Sequence, residues 1–195
     1  MIAVSQMFSV LPPPEAEIRR KLESQREVRF SYPEVGATAT SPPRGYNVDH
    51  ARYLLGQGAG AFSGGKLAIQ RWEMFHNGWT HLCWPDAPIE PGANVAMLAK
   101  YLGLYCINFC RIVYVIDEPR KYGFAYGTLP DHIEAGEERF VVEWLDDGTV
   151  WYDVLAFSRA RHVLARIANP AIRALQRKFR RDSGRAMQAA VGAER

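Results

Sequence analysis

The middle of the chain is a succession of β-rich hydrophobic runs: Thr80 to Trp84, Asn94 to Leu104, Arg111 to Glu118, Tyr122 to Thr128, Glu138 to Leu145 and Thr149 to Phe157. Such runs, bounded by turn residues, predict strands. Glu118-Pro119-Arg120-Lys121 is short enough for a hairpin, and Asp146-Asp147-Gly148 supplies the glycine that a turn with positive φ uses. Consecutive hairpins make an antiparallel sheet. Ahead of them, an extended stretch from His50 to Leu55 passes through Gly56 to Ala61 into a helix carrying Phe62, Leu67, Ile69 and Trp72, which stops at Asn77-Gly78. After them the pattern turns helical from Ser158 to about Ala190, with Val163, Leu164, Ile167, Ala171, Ile172, Leu175 and Phe179 as the apolar stripe and Pro170 as the expected kink. Strand, helix, strands and a long closing helix lack the alternation of a doubly wound parallel sheet, so the predicted class is α+β.

Two proline-rich breaks, Leu11 to Pro14 and Ser41 to Gly45, set off residues 1–45 as a loosely attached amino-terminal extension. It holds a short helix over Glu15 to Ser24 and an edge strand over Glu27 to Pro33. Residues 46–190 are then one α+β domain. At 195 residues and 48% hydrophobic content, the chain can support one core without disulfide or metal staples. Cys83, Cys106 and Cys110 have neither CxxC nor Cys/His spacing, so no zinc site and no disulfide framework is expected, and a reducing cytoplasmic setting fits. The start lacks a basic leader, and the longest apolar stretch, Val95 to Cys110, is interrupted by Lys100 and Asn108. Neither export nor a membrane span is expected.

Charge is uneven. The formal net charge is +3, yet Arg159 to Arg185 holds nine basic residues against one acid, Asp182. That segment suits either a solvated outer face or peripheral contact with an anionic membrane surface. Its one aromatic residue, Phe179, belongs to the apolar stripe, so no row of aromatics interleaves with the basic residues as a nucleic-acid platform requires, and no nucleic acid is expected. Gly56-Gln57-Gly58-Ala59-Gly60-Ala61 matches the GxGxxA dinucleotide fingerprint, but about 20 residues on the chain offers Phe75 to Trp79 in place of an acidic strand end. These glycines are read as turn and packing residues, and no cofactor is expected. There is no GxSxG elbow, HExxH pair or Walker loop.

The polar residues inside the strands carry the candidate chemistry. With Pro119-Arg120 as a two-residue turn, Asp117 pairs with Tyr122, Val113 with Tyr126 and Arg111 with Thr128, which places Arg111, Tyr126 and Thr128 on one face. The next hairpin adds Glu143 and Asp153. With Asp147-Gly148 as the loop, Glu143 faces Tyr152; with Asp146-Asp147 as a type I turn and Gly148 as a bulge, Glu143 faces Trp151 and shares a face with Asp153. Between the hairpins, His132 lies close to Glu134, Glu137 and Glu138, and a histidine there is a candidate general acid or base.

Cys110 to Glu118, the string Tyr122-Gly123-Phe124-Ala125-Tyr126-Gly127-Thr128-Leu129-Pro130, Gly136 to Phe140, Phe157-Ser158-Arg159 and Leu164-Ala165-Arg166 resemble an uncharacterised family of bacterial and plant domains of unknown function. Tyr53, Gly56, Gly58, Phe62, Trp72, Gly78 and Trp79 fit the same pattern, over about Tyr46 to Met187, with departures at Asp131, Ile133 and Ala160-Arg161. That family is distantly similar to the START and polyketide-cyclase-like (SRPBCC, helix-grip) superfamily. The resemblance implies a strongly curved, barrel-like antiparallel sheet around a hydrophobic cavity, closed by a long carboxy-terminal helix.

The expected function is binding of a hydrophobic, polyketide- or lipid-like small molecule, with cofactor-independent acid/base catalysis such as cyclisation. Glu143 or Asp153 is the expected base, Tyr126 or His132 the proton donor, and Arg111 the partner of a carboxylate or oxyanion. Tyr114, Thr128, Trp144, Trp151 and Tyr152 are the expected lining. The alternative is a non-catalytic carrier that docks through its basic helix.

Overall fold

In the computed structural model, which describes residues 8–161 and 169–193, one antiparallel sheet carries the molecule. Its strands are β1 (Phe8–Ser9), β2 (Asn47–Gln57), β3 (Thr80–Leu82), β4 (Asn94–Tyr101), β5 (Leu104–Glu118), β6 (Lys121–Thr128), β7 (Glu134–Trp144) and β8 (Thr149–Ala160). Seven of them run in the order β2-β8-β7-β6-β5-β4-β3, and the short β1 lies along β5. Helices α1 (Glu15–Ser24), α2 (Gly58–Gln70) and α3 (Asn169–Ala193) complete the fold. The sheet curls, and α2 and α3 fill its concave side.

Alternation along the strands explains the core. Tyr122, Phe124 and Tyr126 of β6, Phe140 and Val142 of β7, and Val150, Tyr152 and Val154 of β8 share the concave face and are buried against Phe62, Ile69, Trp72, Phe75, Met187 and Val191. Tyr152 donates to or accepts from Ser183 of α3 at 2.8 Å, which seats that helix across the sheet. Gly184, next along, lets α3 approach Tyr53 closely: a Cβ there would stand 2.6 Å from the ring.

The α+β class, the curled sheet and the closing helix agree with the sequence reading, and α1 has the expected bounds. Several details differ. The run from Asn94 to Leu104 is broken into β4 and β5 by a tight turn at Leu102-Gly103, with φ of +49° and +78°. Ser158 to Ala160, expected in the helix, continue β8, and Pro170 stands in the first described turn of α3. Val163, Leu164 and Ile167 lie outside the described residues.

No strand forms over Glu27 to Pro33, and this segment is tied down rather than loose. The Glu137 carboxylate, buried on the convex face, accepts hydrogen bonds from the Tyr32 hydroxyl (2.7 Å), the Gly36 N–H (2.7 Å), the Thr38 N–H (2.9 Å) and the Thr38 hydroxyl. Arg111 closes the other end. It donates to the carbonyls of Gln25 (2.5 Å), Arg26 (2.7 Å) and Val28 (2.9 Å) and to Asn94 Oδ1 (2.7 Å). Removing the cation takes its donors from the Arg26 and Val28 carbonyls and leaves the Gln25 carbonyl with only the 3.4 Å bond from the Val28 N–H. Arg111→Met is therefore expected to lower stability by about 3 kcal/mol and to expose residues 12–40 to limited proteolysis; unchanged protease resistance and melting temperature would show that the clamp holds nothing.

Candidate functional site

Between the concave face and α3 lies a cavity of about 350 Å³. Its walls are mainly apolar: Phe75, Met97, Ala99, Leu104, Leu175 and Phe179 are among them. One end is polar. There Glu134, Glu138 and Asp49 come from β7 and β2, Tyr126 from β6, and Gln176 and Arg180 from α3.

Most of these groups already have strong partners. Arg180 pairs with Asp49 at 2.9 Å, and Arg173 also holds Asp49, with a second contact at 2.8 Å. Gln176 reaches both oxygens of Glu134 at 2.8 Å, and the Ser158 hydroxyl donates to the same carboxylate at 3.1 Å. Glu138 is different. Its hydrogen-bond partner among the described residues is the Tyr126 hydroxyl alone, which donates at 2.8 Å. Burial drives the Glu138 carboxyl up to about 7 from its ordinary 4.5, against the opposing pull of the Tyr126 hydroxyl and the Arg180 charge. Burial likewise raises Tyr126, with the Glu138 charge adding to it, so the phenol keeps its proton. His132, also on the wall, is pushed down to about 4 by burial, and its Nδ1 accepts the Glu134 N–H at 3.1 Å. The histidine is therefore neutral near pH 7.

The expected site residues divide between the two faces of the sheet. Tyr126, His132 and Thr128 line the cavity. Arg111, Glu143 and Asp153 do not; for Arg111 the reason is a bulge: the register between β5 and β6 runs from Asp117 opposite Tyr122 to Tyr114 opposite Ala125, then shifts so that Ile112, not Val113, faces Tyr126. One extra residue moves Arg111 to the convex side. The β7–β8 hairpin adopts the second of the two registers, with Gly148 at φ +86° and Glu143 opposite Trp151. Glu143, Trp151 and Asp153 thus share a face, but it is the convex one. Glu143 meets Lys121 (3.3 Å) and Arg52 (3.4 Å), and Arg52 lies over the Trp151 ring.

Asp153 is held by His50 (2.7 Å) and Arg139 (2.7 Å). Burial pushes its pKa up, but those hydrogen bonds and charges outweigh it and leave it below the ordinary value. Tyr114 contacts the Thr38 hydroxyl at 2.8 Å beneath the amino-terminal segment. Trp144 packs on Phe62 of α2, and Tyr152 is sealed in the core against α3. None of these three lines the cavity wall.

Sequence reasoning named Glu138 only as one of three glutamates near His132. The signal that could have found it is its parity with Phe140 and Val142, apolar residues on the same face of β7. Among the described residues, no group of three or more His, Cys, Asp or Glu side chains is placed to hold a metal ion. The glycines of the fingerprint-like segment serve the turn from β2 into α2: Gly56 follows a bulge and Gly58 has φ +72°.

Two stability measurements follow. Below the ordinary glutamate value Glu138 is protonated both folded and unfolded. Above it, the unfolded carboxylate ionises freely while the buried one resists until about 7, so stability falls across that interval, by about 3 kcal/mol at most. Glu138→Gln is expected to gain on the native protein as pH rises from 5 to 8 in urea titrations; a pH-independent difference would contradict the assignment. Asp153 has the opposite sign. Its contribution is present above the ordinary aspartate pKa and is lost as pH falls through the lower folded value. Asp153→Asn should cost about 2 kcal/mol at pH 7 and progressively less in acid, which acid-unfolding curves will show or refute.

The sequence has clear relatives. A family model described as "Domain of unknown function (DUF1990)" matches residues 31–186. A UPF0548 protein of Dictyostelium discoideum is 32% identical over 95% of this chain and 96% of its own. A UPF0548 protein of Deinococcus radiodurans is 34% identical over 95% of this chain and 100% of its own. Among solved structures, a hypothetical protein from Helicobacter pylori superposes with a TM-score of 0.56 at 9% identity, covering 83% of this chain and 95% of that one, and so shares the fold. Ara h 8.0201 gives 0.48 at 13% identity, over 76% of this chain and 99% of that one. The match to the family model, together with relatives aligned along nearly their whole length, places this chain in the DUF1990 (UPF0548) family of unknown function.

Proposed function

We propose that the protein binds a mainly apolar small molecule in the cavity under α3 and uses Glu138 as a cofactor-independent general base on it. One observation carries this reading: the Glu138 carboxylate lies on the wall of a mainly apolar cavity with the neutral Tyr126 hydroxyl as its one hydrogen-bond donor among the described residues, and burial there raises its pKa to about 7. A volume of about 350 Å³ suits a small ligand. A base is most useful when its pKa lies near the working pH, and burial in an apolar wall brings a glutamate there. Tyr126 is the positioning residue. Its hydroxyl fixes the carboxylate and, by donating to the charged form, keeps Glu138 from rising further.

His132 and Thr128 face the same space, with neutral His132 a hydrogen-bonding group for the ligand. Ring closure, isomerisation or elimination begun by proton abstraction all fit this arrangement, which needs only one base and a water-poor cavity. Glu143, Asp153 and Arg111, held in ion pairs and backbone hydrogen bonds on the convex face, have no part in it.

The first experiment is mass spectrometry of small molecules that copurify, with Ala99→Phe as the blocked control; the native protein is expected to carry a ligand that this variant excludes. With that ligand or its precursor as substrate, Glu138→Gln should lower turnover by roughly 10²–10⁴-fold while changing affinity by less than about tenfold. Tyr126→Phe should move the midpoint of the pH–rate profile upward. Equal turnover in native protein and Glu138→Gln would remove the catalytic role and leave a carrier.

A further inference from the structure

Of the eight large apolar residues that stand exposed among the described residues, five gather at one place. Tyr101, Leu102 and Leu104 form the end of the β4–β5 hairpin, and Leu102 is 85% exposed. Val10 and Leu11, each 75% exposed, follow β1, whose Ser9 pairs with Tyr105, so they leave the sheet beside the same end. Tyr101, Leu102 and Leu104 also line the cavity, which places this patch at its mouth.

Leu102 is a poor choice for the fold itself. It occupies the first position of a two-residue turn at φ +49°, followed by Gly103 at +78°, where asparagine or glycine relieves the strain and suits water. A leucine here costs backbone energy and, at 85% exposure, buries little of its side chain within the molecule.

The surroundings are cationic. Residues 8–14 and 99–106 contain one charged side chain, Lys100. Trp79 joins the hairpin to α3: its ring lies 6.0 Å from that of Tyr101 and 4.6 Å from Lys178 Nζ. Exposed Arg177 and Arg181 flank Lys178 on the helix, and the nearby acid, Asp182, is already taken up by Lys178, Arg181 and the Trp79 indole. Apolar tip, aromatic collar and basic shoulder are the ingredients of an interfacial membrane contact. A second copy meeting through this patch would set Lys100 and the basic shoulder against like charge.

We infer that the β4–β5 hairpin end, with Val10 and Leu11, inserts into the interface of an anionic lipid bilayer and opens the cavity mouth onto it. An apolar ligand then passes between bilayer and cavity without crossing water. This docking stands apart from the acid/base reading, because it involves neither Glu138 nor Tyr126.

Vesicle flotation tests it, with phosphatidylcholine alone and with roughly one third phosphatidylserine. The full chain is expected to float with the anionic vesicles, and less so as salt rises. Leu102→Asn should reduce binding at least about tenfold, since a buried leucine side chain is lost from the contact, while its melting temperature holds or rises. Leu102→Phe should restore binding. Lys100→Gln with Arg177→Gln should weaken binding to anionic vesicles only, and Glu138→Gln should float like the native protein. Native protein that stays in solution, or Leu102→Asn that floats equally well, overturns the inference. So does a native dimer that Leu102→Asn converts to monomer with no vesicle binding by either, an outcome that assigns the patch to self-association.

Discussion

Adjacent residues of a strand must point to opposite faces of a sheet, and at buried Glu137 and half-buried Glu138 this constraint sends two carboxylates into different surroundings. Glu137 meets a ring of donors from residues 32–38 and becomes the anchor by which the amino-terminal segment covers the convex side. Glu138 meets α3, apolar walls and one phenol. The seat of α3 therefore decides the chemistry. Without the helix across the concave face, Glu138 would be solvated and would titrate as an ordinary glutamate.

That seat is itself built from polar pairs at the cavity's edge. Asp49 of β2 receives Arg173 and Arg180, and Glu134 of β7 receives Gln176. Two of the basic residues in the terminal segment, Arg173 and Arg180, are thus spent inward on holding the helix, and Arg177, Arg181 and Arg185 of the same helix remain exposed. The same helix closes the cavity, positions its polar end and borders its mouth.

The architecture was legible because hairpin turns and period-two runs are local signals. Asp117 opposite Tyr122 follows from turn chemistry, and the bulged turn at Gly148 is one of the two registers that the sequence left open. What was not legible is where a strand slips by one residue. The bulge at Val113 leaves no mark in composition, yet it carries Arg111 from the side of Tyr126 to the opposite one. Nor does sequence say which face of a sheet with hydrophobic residues on both sides will be covered by which segment; Asp153 and Glu143 have apolar neighbours in sequence but lie under ion pairs on the convex side. The turn at Leu102-Gly103 carries no such local signal either, because leucine is not a turn residue.

The central claim is that the Glu138 carboxyl is a near-neutral group inside the cavity. Carboxyl carbon NMR of selectively labelled glutamate, titrated from pH 4 to pH 9 and assigned by its loss in Glu138→Gln, measures this directly. A midpoint at about 7 is the predicted result; a midpoint at the ordinary value of 4.5 would mean that water reaches the carboxylate, and the acid/base account would have no base.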